Sequence, residues 1–134
     1  MNNITSPDMS DNGVEARIQA KGKNAPRITP ADVEANIASE HYFTGTDGII
    51  GVKTMRAIRG ESLGGTPPPP PFGLITFCVL VLQNSFTVTG DSACVSPENF
   101  DAEEGRRIAR ANAVAKVWPL LGYELKSRLA GQEV

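Results

Sequence analysis

The sequence predicts an α+β fold: a small antiparallel β-hairpin or sheet packed against a long C-terminal helix, with an N-terminal helix and a mobile N-terminal arm. Three observations predict it. Leu74 to Leu82 is an apolar run in which only Thr76 is polar, rich in β-branched and aromatic side chains, as in a strand buried on both faces. Gln83-Asn84-Ser85 then supplies a turn, and Phe86 to Asp91 alternates apolar and polar residues, which makes a hairpin. From Asp101 onward the apolar residues recur at helical spacing.

In chain order, residues 1–26 mix Asn, Ser, Asp, Gly and Lys with few large apolar groups. They cannot bury enough surface to offset the entropy of ordering, so they read as a mobile arm. Val14 to Lys21 has the composition for a helical turn or two, but it is shorter than an isolated helix needs and orders only against a partner or subunit. Residues 27–134 read as a single α+β domain. Its first helix starts at Thr29-Pro30: Thr29 caps, Pro30 loses no donor at the first position, Asp32 completes a capping box, and Ile28 and Val33 form a hydrophobic staple. The stripe Val33, Ile37, His41, with Ala38 and Tyr42, extends this helix about three turns, to Gly45-Thr46-Asp47-Gly48. A short second helix is expected over residues 49–59, with Val52, Met55 and Ile58 inward and Lys53, Arg56 and Arg59 outward. A Gly/Pro-rich spacer follows at 64–71, where five successive prolines impose an extended path that excludes helix and central strand.

With a two-residue hairpin loop, Gln83 faces Phe86, Cys78 faces Asp91 and Cys94 faces Ile75. The cysteines are not opposite one another, which argues against a disulfide. In the last third, Asp101 caps a helix whose first turn holds Glu103 and Glu104, acids suited to its positive end. Ile108, Ala111, Asn112, Ala115 and Trp118 cluster on one side, the face expected on the sheet. Pro119 is expected to break the ladder, with Leu121, Leu125 and Leu129 marking a shorter second piece.

The whole chain has 13 Lys and Arg against 15 Asp and Glu, a net charge of −2. Such a balance gives no global attraction to nucleic acid. No apolar run approaches a membrane span, and residues 1–13 lack the cationic start and apolar stretch of a secretion signal, so a cytoplasmic chain without membrane contact is expected. Cys78 and Cys94 are too few for a disulfide scaffold and lack metal-ligand company.

Enzyme motifs are missing. There is one histidine, His41, and no glycine-rich nucleotide fingerprint, Cys-x-x-Cys, His-Glu-x-x-His or Gly-x-Ser-x-Gly. No catalytic residue, metal ligand or cofactor is assigned, and His41 and Cys94 are read as structural. The candidate binding residues lie around the long helix. Arg106 and Arg110, four apart, stack on one face with Arg107 beside them, and two guanidinium forks can grip phosphate. The plainer alternative is a solvated face on which Glu103 pairs with Arg106 and Arg107. Residues 101–128 hold six cations against four acids, a local charge of +2. Asn99 offers an amide, and Phe86 and Phe100 offer rings for stacking, though each ring equally suits a core. Arginines, amide and ring together suit a small phosphate-bearing nucleotide. Duplex recognition is disfavoured, because the patch is small and no helix-turn-helix pair is evident.

Three segments carry a resemblance. Val88 to Cys94, Asn99 to Arg110, and Lys116 to Tyr123, with Ser-Ala-Cys, Asn-Phe-Asp and Trp-to-Gly-Tyr in order, are similar to a family of small tailed-bacteriophage proteins found in phages such as N4 and Sf6. The similarity covers the helix from Ile28 and most of residues 72–129. Two departures are local: Ser85 stands where glycine is the expected turn residue, and the Gly/Pro-rich spacer resembles an insertion. The family implies no settled activity. A hairpin followed by a helix with paired arginines also resembles, in architecture, the signal sponges with which phages disarm host defences. That analogy implies a non-enzymatic protein of the host cytoplasm that sequesters a small nucleotide signal, a cyclic nucleotide for example. Arg106 and Arg110 would hold its phosphates, Asn99 a polar edge, and Phe86 or Phe100 its base. Tight binding without turnover favours a site at a subunit boundary, so a homo-oligomer is expected. The alternatives are a protein-interaction module that binds and inhibits a host factor, and a nucleic-acid accessory protein.

Overall fold

The structure is a computed structural model and describes residues 7–61 and 65–132. The chain divides into two compact units, Met1–Asn36 with Trp118–Val134, and Ile37–Val117. Helix α4 (Ala102–Gln132) belongs to both.

In the first unit, α1 (Asp11–Ala20) starts at Ser10, whose hydroxyl accepts the Gly13 N–H. The expected arm is therefore helical over these residues, and residues 1–6 lie outside the described part. What receives α1 belongs to the same chain: the Trp118 indole N–H donates to Asp11 at 3.1 Å, and Arg27 pairs with Glu15. Helix α2 (Pro30–Asn36) has the predicted capping box, with the Asp32 N–H donating to Thr29 Oγ1 and the Thr29 N–H to Asp32 Oδ2. Val33 on α2 and Leu121 on α4 are the buried apolar residues of this unit.

The second unit is built on an antiparallel sheet in the order β1-β2-β3, made of β1 (Ile37–Thr44), β2 (Ile75–Leu82) and β3 (Thr87–Ala93). The helix expected to run three turns ends at Asn36, and residues 37–44 are strand instead. Ile37, Tyr42, Phe43 and Thr44 are β-branched or aromatic, and pairing with β2 outweighs a helical stripe that His41 and Ala38 carried only weakly. His41 is thus exposed on an edge strand, 3.0 Å from the Ser39 hydroxyl.

Strand β2 is not buried on both faces. Thr76, Cys78, Leu80 and Leu82 are buried on the helix side, whereas Ile75, Phe77, Val79 and Val81 are only half-covered. The hairpin differs from expectation by one residue. Leu82 donates to the Phe86 carbonyl at 2.8 Å, Ser85 donates to Leu82, and Ser85 takes φ 72°, so the loop has three residues. That slip places Cys78 opposite Gly90, and Cys94 donates its N–H to Leu74. The thiols remain apart, and both cysteines are free. Positive φ is the conformation for which glycine is the expected residue, and Ser85 holds it here.

Helix α4 lies on the sheet through Ala109, Ala113 and Val117, none of which has any exposure. This corrects the expected face at Ile108, Ala111 and Ala115, which are exposed, whereas Asn112 does reach the sheet, its amide donating to the Asp91 carbonyl at 2.8 Å. The reason is the backbone approach at Gly90, where an added Cβ would lie 2.2 Å from the Ala109 carbonyl oxygen and 2.3 Å from the Ala113 nitrogen. Only small residues permit it. Pro119 does not divide the helix either: α4 continues through it, with one amide donor fewer.

Between β1 and β2 lies α3 (Gly45–Ile58), which starts with a capping box of Thr44 and Asp47. Gly64 of the spacer lies outside the described residues. Residues 65–69 are irregular, and Pro70–Leu74 form a 3₁₀ turn, so the last two prolines leave the purely extended path expected of them.

Candidate functional site

The start of α4 meets the open end of the β2–β3 hairpin at a cavity of about 450 Å³. Its lining includes Thr76, Cys94, Asn99, Phe100, Asp101, Glu104 and Gly105. The sequence shapes it locally. Pro97–Asn99 form a single 3₁₀ turn, which sets Asn99 and Phe100 just before Asp101. The Asp101 carboxylate accepts the Glu104 N–H at 3.1 Å, so the predicted cap holds this end of α4. Gly105 has no side chain because a Cβ there would lie 2.9 Å from the Thr76 hydroxyl. The Cys94 thiol donates to the Ser96 carbonyl at 3.2 Å.

Of the predicted residues, Asn99 and Phe100 come together here. Arg106, Arg107 and Arg110 are not among the lining residues. Arg107 is joined to the lining through Glu104, with which it forms an ion pair, and also reaches Glu103 at 3.4 Å. The plainer expectation for this face is thus realised at Arg107. Arg106 is exposed beside Gly105. Arg110 does not stack freely above it. Its Nε donates to Glu40 on β1 at 2.8 Å, a pair formed across 70 positions of sequence. Phe86 sits by the hairpin turn, at the other end of the strands, and is 55% exposed. Asp101 and Glu104 contribute to the cavity in a way that sequence reasoning missed, because both were read only as helix-start residues. Their position one and four residues after Phe100 was the available signal.

The Arg110–Glu40 pair anchors a small polar network on the helix side of the sheet. The Tyr42 hydroxyl donates to Glu40 at 3.1 Å, and Cys78 lies opposite Tyr42 in the ladder. The guanidinium hydrogen bond holds the Glu40 carboxyl below the usual glutamate range. Burial, reinforced by Cys78 and Glu40, pushes the Tyr42 phenol up to about 12, and burial also raises the Cys78 thiol. These shifts describe a structural network: a buried thiol held protonated is a poor nucleophile.

Among the described residues no group of three or more His, Cys, Asp or Glu side chains is placed to hold a metal ion. Among the same residues no helix is long and apolar enough to cross a membrane. Comparison with curated proteins and with solved structures returns no match. A family model does match, over residues 28–129, and this range holds β1 to β3, α2, α3, the whole cavity lining and all but the last turn of α4. On that match, the chain belongs to the phage protein (N4 Gp49/phage Sf6 gene 66) family.

Proposed function

We propose that this phage protein is a non-enzymatic binder that sequesters a small nucleotide-derived signal and so counters a host defence, with the cavity at the start of α4 receiving the base. One observation carries the reading: Asn99 and Phe100 line the same cavity, with the acceptor oxygens of Asp101 and Glu104 beside them. A ring for stacking, an amide and a carboxylate suit the donor-rich edge of a purine such as guanine. The phosphates fall outside the lining, to Arg106 and to Arg107 once it leaves Glu104. Arg110 is withdrawn from that role by Glu40. In a phage protein, holding such a ligand without turnover removes a signal from the host.

Thermal unfolding with guanine, adenine and uracil nucleotides, linear and cyclic, tests this. A guanine ligand at about one hundred times its dissociation constant adds roughly 2.7 kcal/mol, and Asn99→Ala and Glu104→Gln each abolish that gain while preserving the unliganded melting point. No stabilisation by any nucleotide refutes the proposal. A second reading, an interaction module that binds and inhibits a host factor, is favoured by the sheet face turned away from α4. There Phe43 and Phe77 stack at 5.5 Å, and Phe43 remains 40% exposed.

A further inference from the structure

Helix α3 turns Val52, Met55 and Ile58 outward, against expectation. Helix α1 does the reverse: it presents one face to the rest of its unit and still leaves a cavity of about 240 Å³ there. That volume is several times the roughly 30 Å³ that one water occupies. All of its lining belongs to the first unit. The side of α1 that borders it consists of Asp11, Val14, Glu15 and Ile18, the i, i+3, i+4, i+7 spacing of one helical face. A face used for packing alone would be apolar at all four positions, whereas here acids alternate with aliphatics, and no residue of α1 is buried.

The other walls say what fits. Ile28, Pro30 and the Trp118 indole complete an apolar lining. Glu15 is mostly covered and paired with Arg27, and Asp32 also attracts Arg27, so the one guanidinium of the lining is offset more than once. Asp11 is exposed at the rim. It accepts the Trp118 indole N–H through Oδ2, which leaves Oδ1 as an acceptor beside the ring. Asp11, Glu15 and Asp32 against Arg27 are three negative charges and one positive, a local charge of −2. A carboxylate fixed at the edge of an indole, over aliphatic walls, suits a cation carried on an apolar body. The carboxylate accepts the ammonium N–H, the ring attracts the same charge, and the walls cover the rest.

We propose that this cavity binds a small amphiphilic amine, an aryl- or alkyl-ammonium ion, with its charge at Asp11 and its apolar body against Trp118. The site shares no residue with the cavity at the start of α4, so it stands apart from the nucleotide reading.

Trp118 is the only tryptophan of the chain, and its fluorescence therefore reports on the cavity directly. Titrating the full chain with phenethylamine, phenethyl alcohol and hydrocinnamate compares similar bodies carrying positive, zero and negative charge. The amine should give a saturable change with a dissociation constant on the order of 1 mM or below, and the alcohol and the carboxylate should each bind at least about tenfold more weakly. Asp11→Asn keeps an acceptor for the indole; it should weaken the amine by about fivefold and leave the alcohol as it was. Val14→Phe fills the cavity and should abolish the saturable change at unchanged circular dichroism. An amine signal that never saturates, equal affinity for amine and carboxylate, or an Asp11→Asn protein that binds the amine like the parent overturns the proposal. A saturable amine signal in a protein that no nucleotide stabilises would strike the nucleotide reading alone.

Discussion

Placing a methyl group on Gly90 is the sharpest test of how α4 meets the sheet. In Gly90→Ala the new carbon would sit 2.2 Å from the Ala109 carbonyl oxygen, 2.3 Å from the Ala113 nitrogen and 2.9 Å from the Ala113 Cα. Ordinary contact requires about 3.5 Å, so helix and strand must separate by roughly 1 Å. All three obstacles are backbone, and no rotamer change relieves them. The separation opens the packing of Cys78, Leu80, Val88, Ala109 and Val117, the buried centre of this unit. Overpacking costs about 1–3 kcal/mol, and a backbone obstacle belongs at the upper end. The reduced entropy of the unfolded chain offsets about 0.4–1 kcal/mol of it. A net loss of about 2–3 kcal/mol lowers the melting temperature by roughly 6–12 °C in a chain of this length. Urea unfolding followed by circular dichroism reads the free energy. Gly122→Ala is the control: its Cβ meets nothing within 4 Å, and the exchange in mid-helix should stabilise by up to about 1 kcal/mol. A Gly90→Ala protein within about 0.5 kcal/mol of the parent would refute the close crossing.

Two further outcomes follow from local geometry. Ser85→Gly removes the cost of a left-handed φ of 72° on a residue with a side chain, and should raise stability by about 1 kcal/mol in the same urea assay; an unchanged or lowered midpoint contradicts the three-residue loop. Tyr42 has a folded pKa pushed up to about 12 against 10.0 for an ordinary phenol. Its contribution is therefore fully present below pH 10 and is lost between pH 10 and 12, where the unfolded chain ionises first. Absorbance titration should show a tyrosine that ionises only near pH 12 while the protein stays folded, and Tyr42→Phe should remove that step.

Local chemistry in the sequence located the element starts and the turn, although it misjudged the length of the hairpin loop and the effect of Pro119 on the final helix. The capping box at Thr29 and Asp32, the cap at Asp101, the hairpin around Ser85 and the long final helix all depend on residues within a few positions of one another. What escaped depends on distant partners. Residues 37–44 form a strand because β2 pairs with them, and their own pattern fits a helix as well. The buried side of α4 is set by Gly90, and the fate of Arg110 by Glu40, 70 residues away. Helical spacing shows that Arg106 and Arg110 share a face, but not which carboxylate reaches one of them first. For the cavity, sequence proximity brought Asn99 and Phe100 together, whereas Thr76 and Cys94 join them only through the hairpin.

The chain leaves the sheet at Thr44 and re-enters at Ile75, and Thr44 is paired with Thr76. Departure and return are thus clamped side by side, and the ladder takes no notice of how much polypeptide is spent in between. Lengthening that excursion taxes only loop closure, about 0.6 kcal/mol for each doubling. New chain ends opened at the Gly/Pro-rich segment should leave the three strands joined as they are.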